Sequence, residues 1–403
     1  MDYKDDITAA LENISRELDH FTANDNNAGL LGGFTGCALF YAYYYQHTSR
    51  EEHVDKVLAI IEKSLQALSE QPLNGSFCGG VSGVAWCVQH LTQMGFIEED
   101  EIEDAFGEID QMVAAFMEES LVAGKNDFLH EGLGTALYFL ERPLPVGKPV
   151  LERLVAGLDQ SAHHLPSGIA WKDMFSSASE RYQGRDLYNL GLAHGVPAII
   201  AVLGRIYEKG IARDTVLRLM EGSISWVLSH KKAQGGGGES LFPVLVDTTG
   251  VSIGDTHSRL GWCYGDLGIA TMLSGAGKRL QRADYNEAAL TILRDIAQHR
   301  NTQNGAVHDA CICHGSAGIA HMLQQAAMAA GDPVLNKAAG EWLQTTLRMN
   351  TWKDGPAGYK FYHHPDYHNS HNVLEGIAGI GLSLLGFLQP EIKPGWNNSL
   401  LIS

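Results

Sequence analysis

Apolar and polar positions along the 403-residue chain follow two helical rhythms in alternation. In the first, apolar residues fall at i, i+3, i+4 and i+7, as in Val54-Asp55-Lys56-Val57-Leu58-Ala59-Ile60-Ile61 and Ala288-Ala289-Leu290-Thr291-Ile292-Leu293. That spacing predicts amphipathic helices with one solvated face. In the second, a run is apolar nearly all round, as from Ile377 to Leu388, and predicts a helix buried on every side. Each run of the second kind follows one short signature: a glycine, two residues, a small residue. It stands at Gly33-Phe34-Thr35-Gly36, Gly80-Val81-Ser82-Gly83, Glu131-Gly132-Leu133-Gly134, Gly195-Val196-Pro197-Ala198, Gly265-Asp266-Leu267-Gly268, Gly315-Ser316-Ala317-Gly318 and Gly376-Ile377-Ala378-Gly379. The third copy has Glu131 in place of its first glycine, and the fourth ends in Ala198.

Successive copies lie about 47 to 70 residues apart, enough for two helices and a loop. One buried and one half-exposed helix per repeat predicts two concentric rings, an all-α fold of the α/α toroid type with about seven helix pairs, as a single domain over residues 1–403. Small residues one turn apart at each inner helix start would let neighbouring helices approach closely at that end. An open solenoid would need polar terminal repeats. The last copy, Leu374 to Phe387, is as apolar as the middle ones, which favours closure. In a closed ring the inner helix N-termini gather at one mouth, where their dipoles favour thiolates and bound anions.

Composition narrows the function classes. A formal charge of −18 argues against nucleic acid, whose phosphates need a basic surface. No apolar stretch approaches the roughly 20 residues of a membrane span, and the acidic start Met1-Asp2-Tyr3-Lys4-Asp5-Asp6 is no secretory signal. Six cysteines in a chain of this size do not form a disulfide framework and point to a cytoplasmic protein. Cys37, Cys78 and Cys87, beside apolar helix starts, read as core packing.

The chemistry concentrates just ahead of the inner helices. Cys263 and Tyr264 precede Gly265, Cys313 and His314 precede Gly315, and His194 precedes Gly195. Asp127 stands four residues ahead of Glu131, and Arg259 four ahead of Cys263. Cys263, Cys313 and His314 offer two sulfurs and a nitrogen, a soft set suited to zinc. Three protein ligands leave one tetrahedral position for a substrate. Cys311 is read as structural, turned away from Cys313 by the alternation of an extended segment.

Trp262-Cys263-Tyr264-Gly265, Cys313-His314-Gly315 and Leu192-Ala193-His194-Gly195, within the sevenfold repeat, resemble the lanthionine synthetase C-type cyclases. The resemblance covers essentially the whole chain. It implies zinc on Cys263, Cys313 and His314, and catalytic roles for His194, Asp127, Tyr264 and Arg259. It implies a dehydrated precursor peptide, leader plus core, as substrate, with a dehydratase and an exporter as candidate partners that would bring the protein to the membrane periphery. Glu131, close to Asp127, and Ala198, after His194, depart from the family's pattern.

The residues support the same chemistry. Two thiolates and a neutral histidine cancel the metal charge, so a third, substrate thiolate stays electron-rich and nucleophilic. Its partner is an electrophile that needs no leaving group, such as dehydroalanine or dehydrobutyrine. Addition at the β-carbon yields an enolate and then lanthionine or methyllanthionine. His194 is the candidate acid, with Asp127 holding it. Arg259 is placed to steady the enolate oxygen or to orient Asp127, and Tyr264 to hydrogen-bond the same region. Addition of glutathione or another small thiol, and a zinc-bearing thiol-binding scaffold without turnover, are the rival readings. Tyr359 to His371 reads as an aromatic rim rather than a second metal site. The Gly235-Gly236-Gly237-Gly238 run lacks the Gly-Lys-Ser/Thr of a phosphate loop and begins a loop-like stretch to Ser258, which four glycines would make mobile and which is long enough to cover or edge the site.

Overall fold

The computed structural model describes residues 3–98, 103–182, 184–233, 236–254 and 257–402, and of residues 103–105 the backbone alone. After a first helix, α1 (Lys4–Asn24), each glycine signature opens a helix: α2 (Cys37–Thr48), α4 (Val81–Gln93), α6 (Thr135–Glu141), α9 (Val196–Glu208), α11 (Asp266–Leu280), α13 (Ser316–Ala330) and α15 (Ile377–Leu388). Between them run α3 (Glu52–Glu70), α5 (Glu103–Val122), α7 (Leu144–Ser161), a short α8 (Met174–Ser177), α10 (Arg213–Ser229), α12 (Ala283–His299) and α14 (Pro333–Arg348). The two rhythms match two burial patterns. In α2 everything from Cys37 to Tyr44 is buried, and in α15 everything from Ile377 to Leu385. In α3 only a stripe is, at His53, Val57, Ile60, Ile61, Ser64 and Ala67.

The chain forms two compact units, Met1–Met112 with His308–Trp396, and Val113–Val307 with Asn397–Ser403. Within the first, α13 packs on α15, α15 on α2 and α2 on α4, while α14, α1 and α3 cover α13, α15 and α2 in turn. The last signature helix therefore packs against the first, and α1 serves as the outer partner of α15. Within the second, α6, α9 and α11 pack in series, backed by α7, α10 and α12.

The glycines have a steric cause. A Cβ on Gly379 would fall on the Val373 carbonyl oxygen and 2.7 Å from Ile312 Cγ1; one on Gly83 would meet the Phe77 carbonyl and, at 2.9 Å, Leu30 Cβ. On Gly268 it would lie 2.8 Å from the Trp262 carbonyl oxygen and 2.9 Å from Leu192 Cβ. The loop preceding one inner helix thus rests on the first turn of the next. Backbone bonds tie the same loops together. In the first unit the Cys313 N–H donates to Leu374 O (2.9 Å), Leu374 N–H to Leu31 O (3.0 Å) and Leu31 N–H to Cys78 O (2.9 Å); in the second, Ala193 N–H donates to Cys263 O (3.2 Å). All these residues stand two places ahead of a signature's first glycine, so the bonds lock equivalent positions in register.

Short strands occupy the connections. β1 (His163–Leu165) and β2 (Gly168–Ala170) form one antiparallel pair. β3 (Leu187–Asn189), β4 (Leu245–Asp247) and β5 (Ser252–Ile253) form an antiparallel sheet in that order, with Tyr188 opposite Val246. The glycine-rich stretch is therefore not one long loop: the apolar Leu245 and Val246 pair with the buried β3. Gly235 lies outside the described residues, and Gly236, Gly237 and Gly238 all have positive φ. β6 (Phe361–His363) and β7 (Asp366–His368) make a hairpin. Among the described residues no helix is long and apolar enough to cross a membrane.

Candidate metal and acid–base site

The segment ahead of α6 is built around one carboxylate. Asp127, 2% exposed, accepts the N–H groups of Leu129 (2.9 Å) and His130 (2.8 Å) on Oδ1. Its Oδ2 lies 2.6 Å from Nδ1 of His194. Glu131, where the repeat would have glycine, accepts the Asp127 N–H at 3.0 Å, so this departure braces the turn that carries Asp127. Asp127 both closes a turn and holds a histidine. Its orientation comes from Leu129, His130 and His194 rather than from Arg259, which stands half-buried.

His194 keeps 12% side-chain exposure. Burial works against charging its ring, but the Asp127 hydrogen bond and charge, with Cys263 and Asp173, outweigh burial and raise its pKa above the ordinary histidine value. Phe175 lies parallel to the imidazole at 5.2 Å, His130 stacks at 5.9 Å, and Tyr264 is tilted against it at 5.6 Å. Burial, with Cys263 and Asp173, pushes the Tyr264 phenol well up, so it stays an O–H donor. Asn189 donates to Asp173 Oδ2 at 2.7 Å. Asp173 in turn caps α8, which carries Phe175. Cys263 and Tyr264 precede Gly265, whose φ of 87° is open to glycine and whose Cβ would meet Arg259 O at 2.6 Å.

In the first unit, Cys311 to His314 forms a turn rather than the expected extended segment, since Cys311 O accepts the Gly315 and Gly318 N–H groups. Within that turn Cys311 Sγ accepts the His314 N–H at 3.5 Å, and burial pushes its thiol up to about 12. Asp309 stands beside His314, its Oδ2 3.4 Å from Nε2. Burial would raise the Asp309 carboxyl, but His314 and the Tyr362 and Cys311 N–H groups more than offset this and hold it below the usual carboxylate range.

Cys263, Cys313 and His314 are all buried, two thiols and an imidazole that together can hold a metal ion. Asp309, Cys311 and His314 form a second such group. There, however, both carboxylate oxygens already accept backbone N–H groups, and the thiol is held protonated. The first group therefore fits a soft divalent ion better.

Cys37, Cys78 and Cys87 are buried, as expected of core residues. Asp309, Asn189, Asp173 and Phe175 were not singled out by sequence. A signal for two of them exists in the repeat: Asn27, Asn74, Asn189 and Asp309 each stand six residues ahead of a signature's first glycine. Each accepts the N–H two residues on, those of Gly29, Ser76, Gly191 and Cys311.

Nisin cyclase shares this architecture, with a TM-score of 0.80 at 20% identity over 99% of this chain and 98% of that one. The protein is thus a mostly helical α/α toroid with a buried thiol-rich group that can hold a metal. A sugar epimerase from a ruminal bacterium superimposes with a TM-score of 0.48 at 10% identity, over 95% of this chain and 99% of its own. The chain belongs to the lanthionine synthetase C-like protein family, which it matches over residues 24–401. Nisin biosynthesis protein NisC of Lactococcus lactis subsp. lactis is 23% identical to it over 305 residues, 71% of each chain.

Proposed function

We propose that this chain is a zinc-dependent cyclase that adds cysteine thiols of a dehydrated precursor peptide to dehydroalanine or dehydrobutyrine, closing lanthionine and methyllanthionine rings. The carrying observation is the buried Cys263, Cys313 and His314 group in a chain that also holds a carboxylate-bound histidine close enough to Cys263 to sense its charge. Family membership and the likeness to nisin cyclase support the same reading.

Zinc held there would supply the positive charge that keeps a peptide thiol deprotonated at neutral pH. Cys263 and Cys313 as thiolates and His314 as a neutral imidazole match a dication in charge and leave one tetrahedral position for the peptide sulfur. As the S–Cβ bond forms, the Cα–Cβ π pair moves into the adjoining carbonyl, and a proton delivered to Cα completes an addition that changes no mass. His194 is the acid: Asp127 occupies Nδ1, so Nε2 is the nitrogen that presents the proton. Its raised pKa keeps more of that acid protonated near neutrality. Tyr264, held as a phenol, and Arg259 serve the developing oxyanion.

The test combines metal content with turnover. The purified chain is analysed for zinc and incubated with a dehydrated, cysteine-containing peptide, with and without glutathione. About one zinc per chain, loss of free thiol at unchanged peptide mass and thioether fragments support the cyclase. Thiol loss only as a glutathione adduct would replace it with small-thiol addition. Zinc with no thiol loss would leave a binding protein, and a metal-free, folded chain from zinc-replete medium would overturn the reading.

A further inference from the structure

Four equivalent positions of the repeat carry a side chain that closes the turn ahead of an inner helix. At three of them, Asn27, Asn74 and Asn189, it is an amide; at the fourth it is Asp309. All four do the same local job with one oxygen, at 2.7–3.0 Å from the N–H two residues on. They differ in the second terminal atom. Asn27 Nδ2 donates to Gly32 O and Asn189 Nδ2 to Asp173. Asp309 has instead a second acceptor, Oδ2, and the turn does not require it. That oxygen is fixed by the Tyr362 N–H of the β6–β7 hairpin at 2.7 Å and faces Nε2 of His314 at 3.4 Å. The Asp309 side chain has no solvent exposure.

Resting on the reading of Cys263, Cys313 and His314 as zinc ligands, we propose that Asp309 is the positioning residue for His314. Its Oδ2 lies within ion-pair range of Nε2, and a small closure would let it accept the Nε2–H, fixing the ring plane and tautomer and leaving Nδ1 as the metal-facing nitrogen. A metal-bound histidine commonly donates its other N–H to a carboxylate, which orients the ring and raises its basicity. An amide at this place, as in the other copies, would turn a donor or a weaker acceptor towards the ring. The hairpin shares the work, because the Tyr362 N–H holds the oxygen that holds His314.

Asp309→Asn is the discriminating variant, since asparagine closes the same turn at three other copies and the folded chain should survive it. Zinc affinity of the full-length wild type and variant is measured by competition with a chromophoric chelator, and cobalt is substituted to record the thiolate and ligand-field bands. The expected result is affinity about 10- to 100-fold weaker and altered ligand-field bands, in a metal-free chain that still unfolds cooperatively but with its midpoint lowered by loss of the Tyr362 N–H bond. Matching affinities and spectra would overturn the role of Asp309 alone. A second measurement needs no variant: the long-range 1H–15N spectrum of the zinc-loaded wild type should show His314 with a proton on Nε2 and the metal on Nδ1. Metal on Nε2 would overturn the proposal even if Asp309→Asn does not fold. Wild-type chain that binds no zinc would remove the zinc reading and this inference together.

Discussion

His194 and Asp127 owe their pairing to two turns, each set just ahead of an inner helix, and the pair divides its labour by atom. Asp127 Oδ1 belongs to the fold, through Leu129 and His130, while Oδ2 belongs to the histidine. His194→Asn should therefore leave the turn around Asp127 and the Cys263, Cys313 and His314 group intact. The expected outcome is one zinc per chain, as in the wild type, with ring formation slowed about 10²- to 10⁴-fold, the usual worth of a positioned acid. Zinc analysis and mass-spectrometric counting of free thiols check it, and a variant that cyclises at the wild-type rate removes His194 from the mechanism. At this scale the sequence pointed to residues that the structure buries or pairs where they stand next to a glycine signature, as at Cys263, Cys313, His314 and His194. It was silent where one side chain adds a second contact to a turn-closing role. Asp309 looks like any turn-closing Asp or Asn until its second oxygen is located in space. Phe175 sits in a short segment with no periodicity, and its stacking on His194 depends on Asp173, Asn189 and β3, which no local pattern connects.

The inner helices show why the repeat was legible. At Gly36, Gly83, Gly268 and Gly379 the loop of a neighbouring repeat, with the helix's own preceding loop, fills the space where a side chain would go. That steric demand leaves a mark in the sequence whatever the surrounding residues are. The strands left no such mark: with two or three residues each, they are too short for an alternating pattern to register. Two glycine-to-alanine changes separate packing from helix propensity. Gly379→Ala, in α15, would force the new methyl onto the Val373 carbonyl and to 2.7 Å from Ile312, and should destabilise the chain by about 1–3 kcal/mol or more. Gly340→Ala, inside α14, meets nothing within 4 Å and should stabilise it by about 0.5–1 kcal/mol. Urea unfolding of both variants decides the matter. Shifts of the same sign would show that the signature glycine is not there to admit its neighbour.

Stability of the whole chain depends on pH through groups far from the thiols. The charge of −18 says the acidic side will matter, but not which groups set the response. His90 is the clearest of them. It is 7% exposed, stacked on Trp86 at 4.9 Å, and its Nε2 lies 3.1 Å from Tyr43 Oη. Tyr43 Oη already accepts the Trp396 N–H at 3.0 Å, so its own proton points to His90, which can accept it only as neutral imidazole. Burial lowers the His90 pKa from 6.5 to about 4. The unfolded chain therefore binds this proton first as pH falls. The stabilisation is complete above pH 6.5, is lost progressively between there and about 4, and amounts to roughly 3 kcal/mol. His53, His130, His230 and His371 are shifted in the same direction by burial and add to the loss. His194, with its raised pKa, acts in the opposite sense: its contribution is present at low pH and fades as pH rises through its folded value. Buried neutral histidines outnumber it, so stability should decline from pH 7 to 4.5. His90→Gln, which can still accept from Tyr43 but does not titrate, should flatten that decline by up to one proton. Urea unfolding of wild type and variant across this range tests it: parallel pH profiles would show that His90 carries its proton equally in both states and that another group sets the acid limb.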